Sequence, residues 1–446
     1  MFRKLSLTPC SSIRKISDDW AEQKAYYRFL NHPKVTEDIL IDEAASRLQS
    51  LVRDRHLLCI QDTSEVNLTA HDKRITDKSN LGRLDYAHYA LGFKIHPAFV
   101  IDAYQFTPLG FAEMKLWHRP LDMPRRFERN FRRQSIEVKE SYKWIEVAQQ
   151  SKTVLKEAQT VTFVQDRESD IYELFCLVPD ERSHLIVRSS FDRNVTEGGC
   201  LTEQLSKQTC AGKHLIELET DKRVNRAKKT VELEIRYCKL TIKKPTSSNM
   251  KGLPLEKELY VVEAKEINTK GKDEKIYWRL LTTHKVENYE EALQIIEWYR
   301  ARWYIEQLFR LLKNKGYQIE NTELENGAAI RKICIMMLMA ILKIMQMRLA
   351  YDDIEGEGQP IEEVFTEEEV DCLKKINEKL RGKTTKQQNQ YNPNRTKWAT
   401  WIIGRLGGWK AYSSQGPPGL IVLRRGLERF SYILEGYLLI KDMGTR

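Results

Sequence analysis

Tyr299, Arg302, Glu306 and Lys313, all within YRARWYIEQLFRLLK, are the residues of this sequence best suited to do chemistry. At about 100° per residue on a helix, offsets of 3, 7 and 14 from Tyr299 put the four in one narrow stripe. Ile305, Leu308 and Leu312 fall on the far side, so the spacing predicts one helix with an apolar back and a charged working face. A carboxylate flanked by an arginine, a lysine and a phenol suits a phosphodiester beside a metal ion. Two further carboxylates stand upstream. LLCIQD ends in Asp62 and VTFVQD in Asp166, each closing an apolar, strand-like run. Two strand-end aspartates and one helix glutamate make an acidic triad able to hold two magnesium ions. Manganese suits the same oxygen donors.

Taken singly, each of these residues has an ordinary reading. An aspartate after an apolar strand is more often a turn or cap residue, and a helix glutamate is usually solvated surface. The coincidence of three carboxylates with the Tyr/Arg/Lys stripe outweighs those readings. Glu168 and Asp170, close to Asp166, are expected to cap and salt-bridge the short helix that follows.

The elements that must carry these residues divide the chain into five stretches. Residues 1–55 read as helical, with a break at His32-Pro33. Residues 56–190 hold strands, a helix from Ser141 to about Ala158, the strand VTFVQD, a short helix over Asp170 to Val178 and the strand HLIVRSS. Strands, a crossover helix and strand-end aspartates describe a ribonuclease-H-like core. Residues 191–288 are β-rich, with Val231, Leu233, Ile235 and Tyr237 alternating, and read as an insertion that accounts for the 140 residues between Asp166 and Glu306. Residues 289–350 complete the core with the catalytic helix. Residues 351–446 form a helical module whose last helix spaces Leu427, Phe430, Ile433, Leu434, Tyr437 and Leu438 as either an intrachain core or a dimer seam. The fold class is therefore α/β. The basic segment MPRRFERNFRR is read evenly as an exposed loop or a contact to a DNA backbone.

With 446 residues the chain can bury more than one core, and a net charge of +10 fits a nucleic-acid partner without requiring one. The 8 cysteines show no CxxC pair and no zinc spacing, so they read as reduced thiols. The run ICIMMLMAILKIMQMRLA is broken by Lys343, Gln346 and Arg348, and is expected to be a buried helix rather than a membrane span. No GxxxxGK[ST] loop and no apolar leader is seen, which argues against a nucleotide-driven or secreted protein.

These motifs together resemble the DDE transposases of bacterial insertion sequences, of the IS-four type and its transposon-five-like branch. The family signature is a tyrosine, two residues, an arginine, three residues, a glutamate, six residues and a lysine, and positions 299 to 313 match it without a gap. QDTSEVNLT around Asp62 and DRESDIYELF from Asp166 match the two aspartate motifs, and Trp278, opening WRLLTTH, matches a base-stacking tryptophan. The resemblance implies cut-and-paste transposition of double-stranded DNA through a hairpin, with two Mg2+ ions on Asp62, Asp166 and Glu306. It implies DNA contacts from Trp278, Tyr299, Arg302, Arg310 and Lys313. It also implies a homodimer on DNA, working in the bacterial cytoplasm at the nucleoid. Family members carry a longer basic helical region at the start, so residues 1–55 are expected to be a shortened DNA-binding region.

Three other readings stay open at the level of sequence. The chain could be an idle or inhibitory relic that still binds DNA or dimerises, as the short N-terminal region would suggest. It could be a ribonuclease-H-like nuclease or resolvase, marked by cleavage without strand transfer. It could be a structural DNA-binding protein, marked by metal independence of every effect on DNA.

Overall fold

The computed structural model describes residues 1–85, 89–122, 134–218, 229–267, 275–351, 356–380, 382, 388–412 and 415–444. MPRRFERNFRR lies outside them. In chain order, helices α1 (Phe2–Leu7), α2 (Ile13–Ile16), α3 (Trp20–Asn31) and α4 (Glu37–Gln49) come first. Strands β1 (His56–Gln61), β2 (Ser64–Asn67), β3 (Gly82–Arg83), β4 (Leu91–Asp102) and β5 (Pro108–Trp117) follow. Next are α5 (Lys143–Val154), β6 (Thr160–Gln165), α6 (Tyr172–Leu177), β7 (Ser183–Arg188) and α7 (Leu201–Ser206). Strands β8 (Gly212–Leu218), β9 (Lys229–Lys243), β10 (Glu256–Ile267) and β11 (Tyr277–Thr282) precede α8 (Tyr289–Arg300) and α9 (Trp303–Arg310). The chain closes with α10 (Gly327–Ala350), α11 (Glu367–Leu380), α12 (Thr396–Leu406) and α13 (Leu420–Gly444). The result is a mixed α/β protein whose strands form both parallel and antiparallel pairs.

Two compact units share these elements. One comprises Met1–Leu51, Thr63–Arg125 and Tyr304–Arg446, and the other Val52–Asp62 and Arg126–Trp303.

In the first unit β2, β3 and β5 each pair antiparallel with β4. The helix α10 packs on β5, α1, α4, α12 and α13. It is the buried helix expected of its apolar run, and its polar residues find partners. Lys343 Nζ lies 2.7 Å from Glu369, with side chains 11% and 3% exposed. Gln346 donates to the Pro108 carbonyl at 3.1 Å, Lys332 to that of Leu30 at 2.9 Å, and Arg331 meets Glu37 at 2.6 Å. Buried charges persist only when paired in this way. Among the described residues no helix is long and apolar enough to cross a membrane. On α13, Leu427, Phe430 and Leu434 are buried within the chain, whereas Ile433 is exposed along with Tyr432, Leu439, Ile440 and Met443.

In the second unit β1, β6 and β7 run parallel, with α6 connecting β6 to β7. The strand HLLCIQ is buried at every position, as parallel strands covered on both faces are. Strand β11 pairs antiparallel with β7, and β10, β9 and β8 continue the sheet in that order. On β9 the alternation holds for Val231, Leu233 and Ile235, which are buried, while Tyr237 is half-buried and its hydroxyl donates to the Glu287 carbonyl at 3.1 Å. Near the amino ends of the parallel strands three histidines surround Thr162. Its Oγ1 lies 2.8 Å from His56 Nε2 and 2.7 Å from His284 Nε2. His184 stacks on His284 at 4.1 Å, and Trp298 packs edge-on to His56 at 4.7 Å.

Candidate active site

The pairing of β1 with β6 fixes the two aspartates. His56 faces Thr160 and Ile60 faces Val164, a constant offset that makes Asp62 the counterpart of Asp166 one step past each strand. Adjacent strands lie about 4.8 Å apart, so two carboxylates emerge level from neighbouring carboxyl ends. Open α/β sheets place their ligands at these ends.

Asp62 accepts a charge-assisted hydrogen bond from Arg302 Nη1 at 2.9 Å, with side chains 24% and 15% exposed. Asp166 accepts from the Tyr299 hydroxyl at 3.2 Å. Tyr299 is buried at the end of α8, and burial, followed by the charge of Asp166, pushes its phenol up to about 12. It therefore acts as a neutral donor. Trp278, half-buried on β11 opposite Ala264, meets the Tyr299 ring edge-on at 5.7 Å. The second unit thus gathers Asp62, Asp166, Trp278, Tyr299 and Arg302.

Arg188 joins them, though nothing in the sequence singled it out. It ends β7, the third parallel strand, donates to the Tyr277 carbonyl at 3.2 Å, and acts on the Tyr299 hydroxyl against the upward push of burial.

The remaining site residues belong to the first unit. Glu306 sits half-buried on α9 and Arg310 closes that helix. Lys313 lies in a π-turn, Leu311–Lys315, and pairs with Glu320 at 3.2 Å.

Two expectations need correction. The segment from Tyr299 to Lys313 is not one α-helix: α8 stops at Arg300, α9 starts at Trp303, and the π-turn follows Arg310. The ladder changes step at the break, because Ala301 N–H bonds the Glu297 carbonyl while Arg302 N–H bonds that of Tyr299. Tyr299, Arg302, Glu306 and Lys313 therefore sit on successive segments and not on one continuous α-helix. Neither does Asp170 cap the helix α6, whose N-cap is Ile171. Its carboxylate is fully enclosed, pairs with Arg193 at 2.6 Å, and accepts from the Ser190 and Phe191 N–H groups at 2.7 and 3.1 Å. That clamp ties down residues 189–193 as a buried ion pair. Glu168 pairs with Lys143 of α5 at 3.4 Å.

Among the described residues no cluster of three or more His, Cys, Asp or Glu side chains is drawn together closely enough to hold a metal ion. By donor type Asp62 and Asp166 fit a hard divalent cation, being carboxylates level with each other at two strand ends. All 8 cysteines are free thiols.

Residues 176–343 match the family model described as Transposase DDE domain. That match supports a DDE transposase, and with it DNA transposition and recombination. It takes in Trp278, Tyr299, Arg302, Glu306, Arg310 and Lys313 and begins beyond Asp166. The fold is also similar to the cryo-EM structure of the piggyBac transposase synaptic complex with hairpin DNA. The likeness covers 85% of this chain and 58% of that one, at 8% identity and a TM-score of 0.31, and is too slight to bear on the site.

Proposed function

We propose that this DDE transposase performs cut-and-paste transposition of double-stranded DNA at the ends of an insertion sequence of the IS-four type, on a ribonuclease-H-like core. The observation that carries the reading is the level placement of Asp62 and Asp166 beside Arg302 and Tyr299. Asp62, Asp166 and Glu306 would hold two Mg2+ ions, with Mn2+ able to replace them, supplying an activated water and neutralising charge at the scissile phosphate. Glu306 enters through its place in the matched sequence signature.

Arg302 offers its planar fork to phosphate oxygens while Asp62 fixes its direction. Lys313 adds a point charge, Arg310 a second backbone contact, and the Tyr299 hydroxyl a neutral hydrogen bond. Trp278 stacks on a base turned out of the duplex, a contact of about 1–3 kcal/mol. One site nicks a strand, and the freed 3′-hydroxyl attacks the opposite strand to leave a hairpin. The hairpin is then opened and the end joined to target DNA. The exposed face of α13, with Tyr432, Ile433, Leu439, Ile440 and Met443, would serve as the seam of a homodimer on DNA. The protein would work at the bacterial nucleoid.

The test is cleavage of a labelled duplex carrying the element's own end, with Mg2+, by the natural chain and by Glu306→Ala. A nick followed by a hairpin, both missing from the variant, is the expected result. End binding without cleavage by either protein would leave an idle or inhibitory relic, and cleavage without strand transfer a nuclease.

A further inference from the structure

We propose that the buried amide pair Gln61–Gln165 positions the two strand-end aspartates, an inference that rests on the metal-dependent reading above. Both glutamines are fully enclosed, and each immediately precedes a candidate ligand in the repeated word Gln-Asp. Their side-chain amides meet at 2.6 Å, from register-equivalent places on β1 and β6. With both amides turned to suit their neighbours, the Gln61 nitrogen donates to the Gln165 oxygen and to the Trp144 carbonyl at 3.3 Å, and the Gln61 oxygen accepts from the Ala148 N–H at 3.1 Å. Those two backbone groups are four residues apart on α5, so one amide grips a single turn of that helix.

Successive residues of a strand point to opposite faces. The glutamines therefore lock the strands from the face towards α5, and the aspartates leave from the other. Any sliding of β1 along β6 that would misalign Asp62 and Asp166 must first part the amides. Buried amides part from their partners only at a cost, since no water replaces the lost bond. The pair touches neither DNA nor metal. It acts through the aspartates.

Full-length protein with Mn2+ as the probe gives the test. Free Mn2+ is followed by electron paramagnetic resonance, and bound Fe2+ with ascorbate and peroxide maps the site by backbone scission. Gln165→Met keeps the side-chain volume but strands the Gln61 amide, whereas Gln61→Met with Gln165→Met leaves no lone amide and is the folded background. Removing groups that orient metal ligands costs about 10–100-fold in metal affinity. The double variant should therefore melt near the natural protein yet bind Mn2+ about 10-fold more weakly. Phe163→Leu, on the same face of β6, should lower the melting temperature and leave Mn2+ affinity unchanged. Unchanged affinity in the double variant, or equal weakening in Phe163→Leu, overturns the inference alone. Absence of Mn2+ binding and of scission near Asp62 and Asp166 in the natural protein overturns the functional reading, and this inference with it.

Discussion

In the proposed reaction Arg302 would have two tasks that differ in geometry, and lysine could do only one of them. It pairs with Asp62 through a guanidinium nitrogen at 2.9 Å, and in the proposed reaction its planar fork would also meet a phosphate. Arg302→Lys keeps the charge and loses the fork, so single-turnover nicking should slow by about 100-fold, the scale of losing one well-placed donor. The measurement is the rate on the element-end duplex at saturating protein. Tyr299 is a different kind of donor. With its phenol near 12 it stays neutral throughout the working range, so it should add no alkaline limb to the pH–rate profile. If Tyr299→Phe moved the alkaline limb, the hydroxyl would have to be titrating and its assignment as a neutral donor would fail.

Elements decide how far such residues could be read from sequence. The strand-end aspartates were legible because LLCIQD and VTFVQD are apolar runs that stop abruptly, and β1 and β6 end where those runs do. The helix break at Ala301–Arg302 was not, since the 3.6-residue period continues through it and Ile305, Leu308 and Leu312 are buried as the unbroken pattern requires. What interrupts the ladder is one hydrogen bond of different span, which leaves no mark on composition. Arg188 was missed because an arginine ending a strand has no pattern of its own. Asp170 was misassigned because its partner, Arg193, arrives from a loop beyond the next strand. That pair is enclosed, and Arg193→Ala should cost about 3–5 kcal/mol by stranding a buried carboxylate, as read from urea unfolding. Asn288, whose side chain accepts the Glu291 N–H at 2.9 Å at the start of α8, offers a milder comparison. Asn288→Ala should cost about 1 kcal/mol.

For the molecule as a whole, the histidines around Thr162 set a lower limit on useful pH. Burial, reinforced by His184 and His56, pushes His284 from 6.5 down to about 2, and burial also lowers His184. The unfolded chain therefore binds protons below about 6.5 that the folded chain refuses, so stability is full above that pH and is lost as pH falls. Each ring held neutral contributes a slope of about 1.4 kcal/mol per pH unit. Urea midpoints should drop between pH 7 and pH 5, roughly as that slope dictates, and His284→Gln should flatten the drop. Discontinuity of the second unit has a consequence for synthesis. Strand β1 leaves the ribosome long before β6, its partner in the parallel pair, because Ile60 waits for Val164. At roughly 5–20 residues per second that wait lasts on the order of 5–20 s. Throughout it a strand that is buried at every position of the folded chain has no mate, and Tyr299, the partner of Asp166, is later still to arrive. A half-made chain is therefore sticky before it is capable, exposing the apolar residues of β1 while its parallel partner is still unmade.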